Sequence, residues 1–143
     1  MAQFKNVWVD ILSIGDELLI GQTVNTNASW LGMKCNQLGM QVRRIIAIPD
    51  NREAIIREIE TSLRESQVTF VTGGLGPTKD DITKKTIADF FHDELVRDMD
   101  TYRRVQAFFA KRNLPLLESN DGQSMVPSKC TVIPNHQGTA PGM

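Results

Sequence analysis

Cysteine is scarce in this chain. Cys35 and Cys130 are the two present, too few for a disulfide framework and without the His/Cys clustering a zinc site needs. Both read as small core residues, Cys35 in a helix pattern and Cys130 at the start of a strand pattern, and free thiols suit a reducing cytoplasm. Aromatic residues make up 6%, too few and too scattered to stack nucleic-acid bases. Neither charge sign dominates: 16 Lys and Arg face 17 Asp and Glu, a formal net charge of −1. No field or basic stripe therefore draws nucleic acid, and direct nucleic-acid binding is not expected. No apolar run approaches the roughly 20 residues of a membrane span. Lys5 and Asp10 around the first short apolar run exclude a signal peptide. These absences point to a cytoplasmic protein with no membrane contact.

What is present alternates. The 143 residues suit one domain, which at this size buries roughly 68–70% of its unfolded surface. Residues 7–14 read as a buried strand ended by Gly15. Asn25 or Thr26 can cap a helix with Ala28, Leu31, Cys35 and Leu38 inward and Gly39 as terminator. Residues 41–48 form a second strand, stopped by Pro49. Asp50, with Glu53 three residues on, matches a capping box for a helix burying Ile55, Ile56, Ile59 and Leu63. Residues 68–71 form a third strand. A helix over about residues 80–91 buries Ile82, Ile87, Phe90 and Phe91. Asp98 or Asp100 caps another, with Tyr102, Val105, Phe108 and Phe109 inward. Residues 114–127 are irregular, and residues 131–133 look like a short strand. Strand alternating with helix predicts a three-layer α/β/α, doubly wound, mostly parallel sheet. The chain stops at Met143 inside a glycine-rich loop, which points to a domain of residues 1–143 truncated at its C-terminal end. There are no internal repeats or low-complexity tracts.

The most informative stretch is Thr72-Gly73-Gly74-Leu75-Gly76-Pro77-Thr78-Lys79-Asp80-Asp81, between the third strand and the next helix. Three glycines in four residues strip a turn of side chains, so its N–H groups can approach an anion, and the helix start adds favourable partial charge. It is not a P-loop, because Gly-Lys-Ser/Thr is missing. Nor is it the dinucleotide fingerprint, because the spacing is Gly-Gly-x-Gly. A tight turn capped by Asp80 or Asp81 is the plain structural alternative. It leaves the extra glycines and Pro77 unexplained. Since both aspartates cannot be the same cap, one is free for a hard cation or for activating water. Lys79 can neutralise a phosphate as a point charge or sit solvated at the surface.

In an open parallel sheet, ligands bind beyond the carboxyl ends of the strands. Strand one delivers Gly15, Asp16 and Glu17 to that rim; a helical turn over residues 17–20 is their plain alternative. Strand two delivers Asp50, as cap or as ligand. Strand three delivers the glycine turn. The last short strand delivers Asn135 and the loop of residues 138–142. His136, a lone loop histidine with no partner carboxylate nearby in sequence, reads as non-catalytic, and His92 follows the Phe90-Phe91 pair near the C-terminal end of its helix. A helix start holds an anion by roughly 0.3–1 kcal/mol, far short of the ~8 kcal/mol or more of catalysis, so chemistry here would call on a metal held by aspartates.

The runs Ser13-Ile14-Gly15-Asp16-Glu17-Leu18-Leu19-Ile20-Gly21, Asn25-Thr26-Asn27, residues 73–81, Asn120 with Gln123, and Pro134-Asn135 with Gly138-Thr139-Ala140-Pro141-Gly142 together resemble the N-terminal domain of CinA-like (competence/damage-inducible) proteins. That domain belongs to the molybdopterin-binding superfamily, which includes the molybdopterin adenylyltransferases. The resemblance implies a doubly wound fold, a homo-oligomer, and cleavage of ADP-ribose to AMP and ribose 5-phosphate with a divalent cation such as Mg, Mn or Co. On this basis Asp81, Asp80 and Lys79 are the expected catalytic residues, and Asp16, Asp50 and Asp81 the expected metal ligands. Gly15, Asp16, Glu17, Asn25, Asn27, residues 73–78, Asn135, Gly138, Thr139, Ala140 and Gly142 would hold a phosphate-bearing small molecule, ADP-ribose or a pterin. Molybdopterin binding or adenylyl transfer is the alternative, and a non-catalytic nucleotide-binding domain of a larger CinA-like protein a third reading. The adenylyltransferases read Gly-Gly-Thr-Gly at the turn; Leu75 here favours the CinA-like branch.

Overall fold

The computed structural model describes residue 4 and residues 6–76, 82–115, 120 and 122–143, which fall into two compact units, Met1–Gly74 and Leu75–Met143. The first holds β1 (Trp8–Ile14), α1 (Asp16–Leu19), α2 (Thr26–Gln37), β2 (Gln41–Ile48), α3 (Arg52–Glu65) and β3 (Val68–Thr72). The strands pair in parallel in the order β2-β1-β3. β1 takes the centre because residues 9–14 can all be buried, as a strand covered on both faces requires. Val9 and Ile11 pack against Ala28 and Cys35 of α2. Asp10 points the other way and accepts a hydrogen bond from Ser62 of α3. The two crossover helices therefore cover opposite faces, the α/β/α doubly wound layering that the strand–helix alternation predicts.

Asp10 is fully buried in this apolar strand. It is satisfied by Arg43 Nε at 2.9 Å, Arg44 Nε at 2.7 Å and Ser62 Oγ at 2.7 Å. Two consecutive arginines can both reach it because the register slips: Val9 faces Val42 but Asp10 faces Arg44, leaving Arg43 as the extra residue of a bulge. Glu65 takes Arg43 and Glu58 takes Arg44 at the periphery. Burial alone would raise the Asp10 pKa, but the bonds from Arg43, Arg44 and Ser62 outweigh it and hold the carboxyl below its usual range.

Four details of this unit depart from the periodicity. α3 is capped by Asn51, whose side chain accepts from Ala54 N–H at 3.0 Å; Asp50 sits one residue too early because the helix starts at Arg52. Leu63 is exposed and Ser62 buried, since the inward position over the Asp10 carboxylate needs a donor. Ile56 is half-buried. Leu38 is exposed because it is the C-cap of α2, already off the helical stripe.

The second unit holds α4 (Thr83–Phe90), β4 (Leu95–Arg97), α5 (Met99–Ala110), a 3-10 turn (Gly122–Ser124) and β5 (Met125–Pro127). β4 and β5 form an antiparallel pair that the sequence reading missed; three-residue strands carry too little periodicity to detect. α4 starts three residues later than expected and buries Thr83, Lys84, Thr86 and Ala88, whereas Phe91 is its exposed C-cap. The buried Lys84 ammonium donates to the carbonyls of Gly122, Gln123 and Met125 at 3.0, 3.3 and 3.0 Å, tying α4 to the turn before β5. Asp98 caps α5 by accepting from Thr101 N–H at 2.7 Å, one of the two caps expected; Val105 is buried and Tyr102, Phe108 and Phe109 half-buried. Residues 131–133 do not form a strand. Ile133 alone makes a bridge, antiparallel, to Gly142, and Cys130 lies in the bend after β5. Among the described residues no helix is long and apolar enough to cross a membrane.

Candidate ligand-binding site

The strand order puts a topological switch point between β1 and β3, because the chain leaves β1 toward β2 and returns past it to β3. Ligands in this class of sheet bind at that point. A cleft of about 120 Å³ opens there, lined by Ser13, Ile14, Glu17, Leu18, Thr72, Gly73 and the loop of residues 23–27. Drug-sized ligands fill roughly 300–1,000 Å³, so the cleft has room for a fragment on the scale of one ring system.

The cleft walls are built by short-range bonds. Asn25 caps α2: its Oδ1 accepts from Ala28 N–H and from the buried Ser13 hydroxyl, both at 3.2 Å. This fastens the start of α2 to the end of β1. Asn27 Nδ2 donates to Thr72 Oγ1 at 3.4 Å, linking the same helix start to β3. Between them the Glu17 carbonyl accepts from Gln22 and Thr23 N–H at 2.9 and 3.2 Å, closing the intervening loop on itself. At the floor, Gly73 adopts φ 97° and Gly74 φ 60°. A Cβ on Gly73 would stand 1.9 Å from the Ile14 carbonyl oxygen, so only glycine lets the two strand ends approach this closely.

The rim brings some of the expected residues together. Asp16 lies in the first turn of α1, and its Oδ1 accepts from Asp50 N–H at 3.3 Å. Two of the three expected metal ligands are thus neighbours, and carboxylate oxygens suit a hard cation. The third, Asp81, lies outside the described residues, as do Asp80, Lys79, Thr78 and Pro77. Among the described residues no three His, Cys, Asp or Glu side chains come together to hold a metal. Leu75 and Gly76 follow the turn into the second unit. There, Asn135 Oδ1 accepts from Gln137 and Gly138 N–H at 2.9 and 3.1 Å, and its Nδ2 donates to Ala140 O at 2.9 Å. The Ile133–Gly142 bridge closes this loop, which carries Thr139 at its bend. His136 is exposed in this loop, and the His92 carbonyl accepts from Lys129 Nζ at 3.2 Å. Ser13 and Thr72 were missed as cleft residues. Their signal was a hydroxyl at the carboxyl end of each apolar strand.

A parallel sheet wound on both faces, with a glycine turn and a polar cleft at its switch point, defines the doubly wound α/β class. Within that class the chain belongs to the family described as "Probable molybdopterin binding domain", which it matches over residues 10–143, and to its CinA-like branch. It is 45% identical over 134 residues to a CinA-like protein of Chloroherpeton thalassium, covering 94% of this chain and 32% of that protein. It is 42% identical over 133 residues to a CinA-like protein of Salinibacter ruber, covering 93% of this chain and 32% of the relative. The chain therefore spans about a third of the length of these curated relatives. Among solved structures, the protein CinA of unknown function from Thermoplasma acidophilum superposes with TM-score 0.81 at 32% identity, covering 94% of this chain and 79% of that one. The tungsten cofactor synthesizing protein MoaB from Pyrococcus furiosus shares the fold, with TM-score 0.56 at 14% identity over 88% of this chain and 81% of that one.

Proposed function

We propose that this chain binds a phosphorylated pterin of the molybdopterin type at the switch-point cleft. The cleft would take the heterocycle, and the turn at Gly73 and Gly74 would turn backbone N–H groups toward the phosphate. The observation that carries this reading is the contact of Gly73 with Ile14, 1.9 Å from a would-be Cβ to the carbonyl oxygen, which keeps the cleft floor free of side chains. The family description and the cofactor-synthesis name of the MoaB relative favour a pterin ligand. Hydrolysis of ADP-ribose to AMP and ribose 5-phosphate is a second reading of the same rim. Its support is the juxtaposition of Asp16 with Asp50, and its other carboxylates, Asp80 and Asp81, are outside the described residues. Adenylyl transfer to the pterin would use the same carboxylates.

Titration of the purified chain with molybdopterin and, separately, with ADP-ribose plus Mg, Mn or Co discriminates these readings. Saturable quenching of pterin fluorescence without AMP release is the expected result. Metal-dependent AMP release with no pterin binding would sink the pterin reading and establish the hydrolase.

A further inference from the structure

Among the described residues the cleft lining contains no Lys or Arg, and Glu17 is its one charged side chain. The rest of the wall is hydroxyl, amide and aliphatic. Such a surface favours a neutral, N–H-rich portion of a ligand and disfavours an anion. Glu17 is also built into place. Its backbone carbonyl is pinned by two N–H donors, Gln22 and Thr23. Its carboxylate lies over Gly15, where a Cβ would stand only 2.4 Å from Oε1 and 2.7 Å from Oε2. Glycine at position 15 thus leaves the room that the carboxylate occupies. Among the described residues that carboxylate makes no hydrogen bond or ion pair, so both oxygens are available to a ligand.

We infer that Glu17 is the specificity-determining residue of the cleft, reading the 2-amino-4-oxopyrimidine edge of a pterin through two parallel N–H···O bonds. This assignment rests on the pterin reading above and names the group that would enforce it. An aminopyrimidinone edge offers a ring N–H beside an exocyclic N–H, spaced for the two oxygens of one carboxylate. An adenine edge offers an acceptor beside its amino group, so one carboxylate oxygen would face a lone pair. A 2,4-dioxopteridine offers a ring N–H beside a carbonyl oxygen, which is also mismatched with a carboxylate but matched with a primary amide. The available Asn25 Nδ2 and Asn27 Oδ1 on the same wall can serve the far side of the ring.

The test is a fluorescence titration of the whole chain with 6-hydroxymethylpterin and with 6-hydroxymethyllumazine, its 2-oxo analogue. The native chain is expected to prefer the pterin by roughly ten- to hundredfold, the discrimination of one good bidentate pair. Glu17→Gln, at an exposed position, is expected to melt as the native chain does and to shift the preference toward the lumazine. Gly15→Ala, which keeps the charge but displaces the carboxylate, is expected to weaken the pterin selectively. An unchanged pterin-to-lumazine ratio in Glu17→Gln, or an equal loss of both ligands, would overturn the assignment while leaving pterin binding intact. Binding of neither pteridine by the native chain would overturn the pterin reading itself.

Discussion

Gly73→Ala tests whether the cleft floor depends on the close approach of the β1 and β3 ends. The added Cβ would sit 1.9 Å from the Ile14 carbonyl oxygen and 2.9 Å from its carbon, where contacts below 3.0 Å essentially never occur. Both partners are backbone, and Ile14 is held in the sheet by its pairing with Ile48. The strand ends must therefore separate by more than an ångström. The φ of 97° adds about 1–2 kcal/mol for any residue with a Cβ, and overpacking a tight site adds roughly 1–3 kcal/mol. The combined loss of about 2–5 kcal/mol is a large part of the ~5–15 kcal/mol that stabilises a typical domain. With a mid-range urea m-value of ~2 kcal/mol/M, the midpoint should fall by roughly 1–2.5 M with m unchanged. Where the variant is still folded, ligand affinity should drop as well, because Gly73 lines the cleft. An unfolding midpoint within about 0.3 M of the native one would refute the reasoning, since the chain would then accommodate the Cβ without separating the strands.

The ion cluster around Asp10 predicts acid sensitivity with a definite sign. Asp10, Asp93 (which accepts from the Ser128 hydroxyl and Lys129 N–H) and Asp98 all titrate below their ordinary 3.8 in the folded chain, so the stability they add is complete above that value and is lost as pH falls through their lower folded values. Melting temperature should hold between pH 7 and 5 and fall below about pH 4, and a decline that starts near pH 6 would point to other groups. Asp10→Asn should flatten that acid limb and cost about 3–5 kcal/mol at neutral pH, because two arginines lose their buried partner; a loss under 1 kcal/mol would mean the cluster is solvated. Asn51→Ala should cost α3 about 1 kcal/mol in urea unfolding through loss of its cap, with Asp50→Ala leaving the helix start capped; the reverse order would restore Asp50 as the cap.

Most of the first unit was legible in the sequence because its signals are local and redundant. β1, β2 and β3 are runs of Val and Ile punctuated by Gly15, Pro49 and Gly73, and each crossover helix carries its own stripe and cap. The inverted Ser62 and Leu63 positions on α3 have a physical source: periodicity knows nothing of a buried charge. Asp10 is the one charged residue of β1, fully buried, and it dictates three things at once. It places Ser62 inward and turns Leu63 out. It draws Arg43 and Arg44 to the same carboxylate. It also coincides with the bulge that makes two adjacent arginines point the same way. The same reasoning applies to Lys84, a buried charge on α4 that satisfies three carbonyls of a turn some 38 residues on.

The site was legible as a place more than as a list. The rule that ligands sit beyond the carboxyl ends of parallel strands selected Asp16, Glu17, Asp50 and Gly73, and the family resemblance added Asn25 and Asn27; in the structure Asp16 touches Asp50 while Glu17, both asparagines and Gly73 line one cleft. The roles within it were not legible, because they depend on which atoms are already spent. Asn25 Oδ1 is committed to Ser13 and Ala28, so the reading of Asn25 as a free ligand contact becomes that of a residue that holds the wall in place and has only its amide nitrogen to offer. Glu17, whose plain alternative was a helical-turn acid, keeps both carboxylate oxygens available over a glycine. With the Asn25 oxygen spent and both Glu17 oxygens open, the proposed recognition falls on the glutamate more than on the asparagines. It is also why a single amide-for-acid change at Glu17 should alter which heterocycle binds rather than how tightly everything binds.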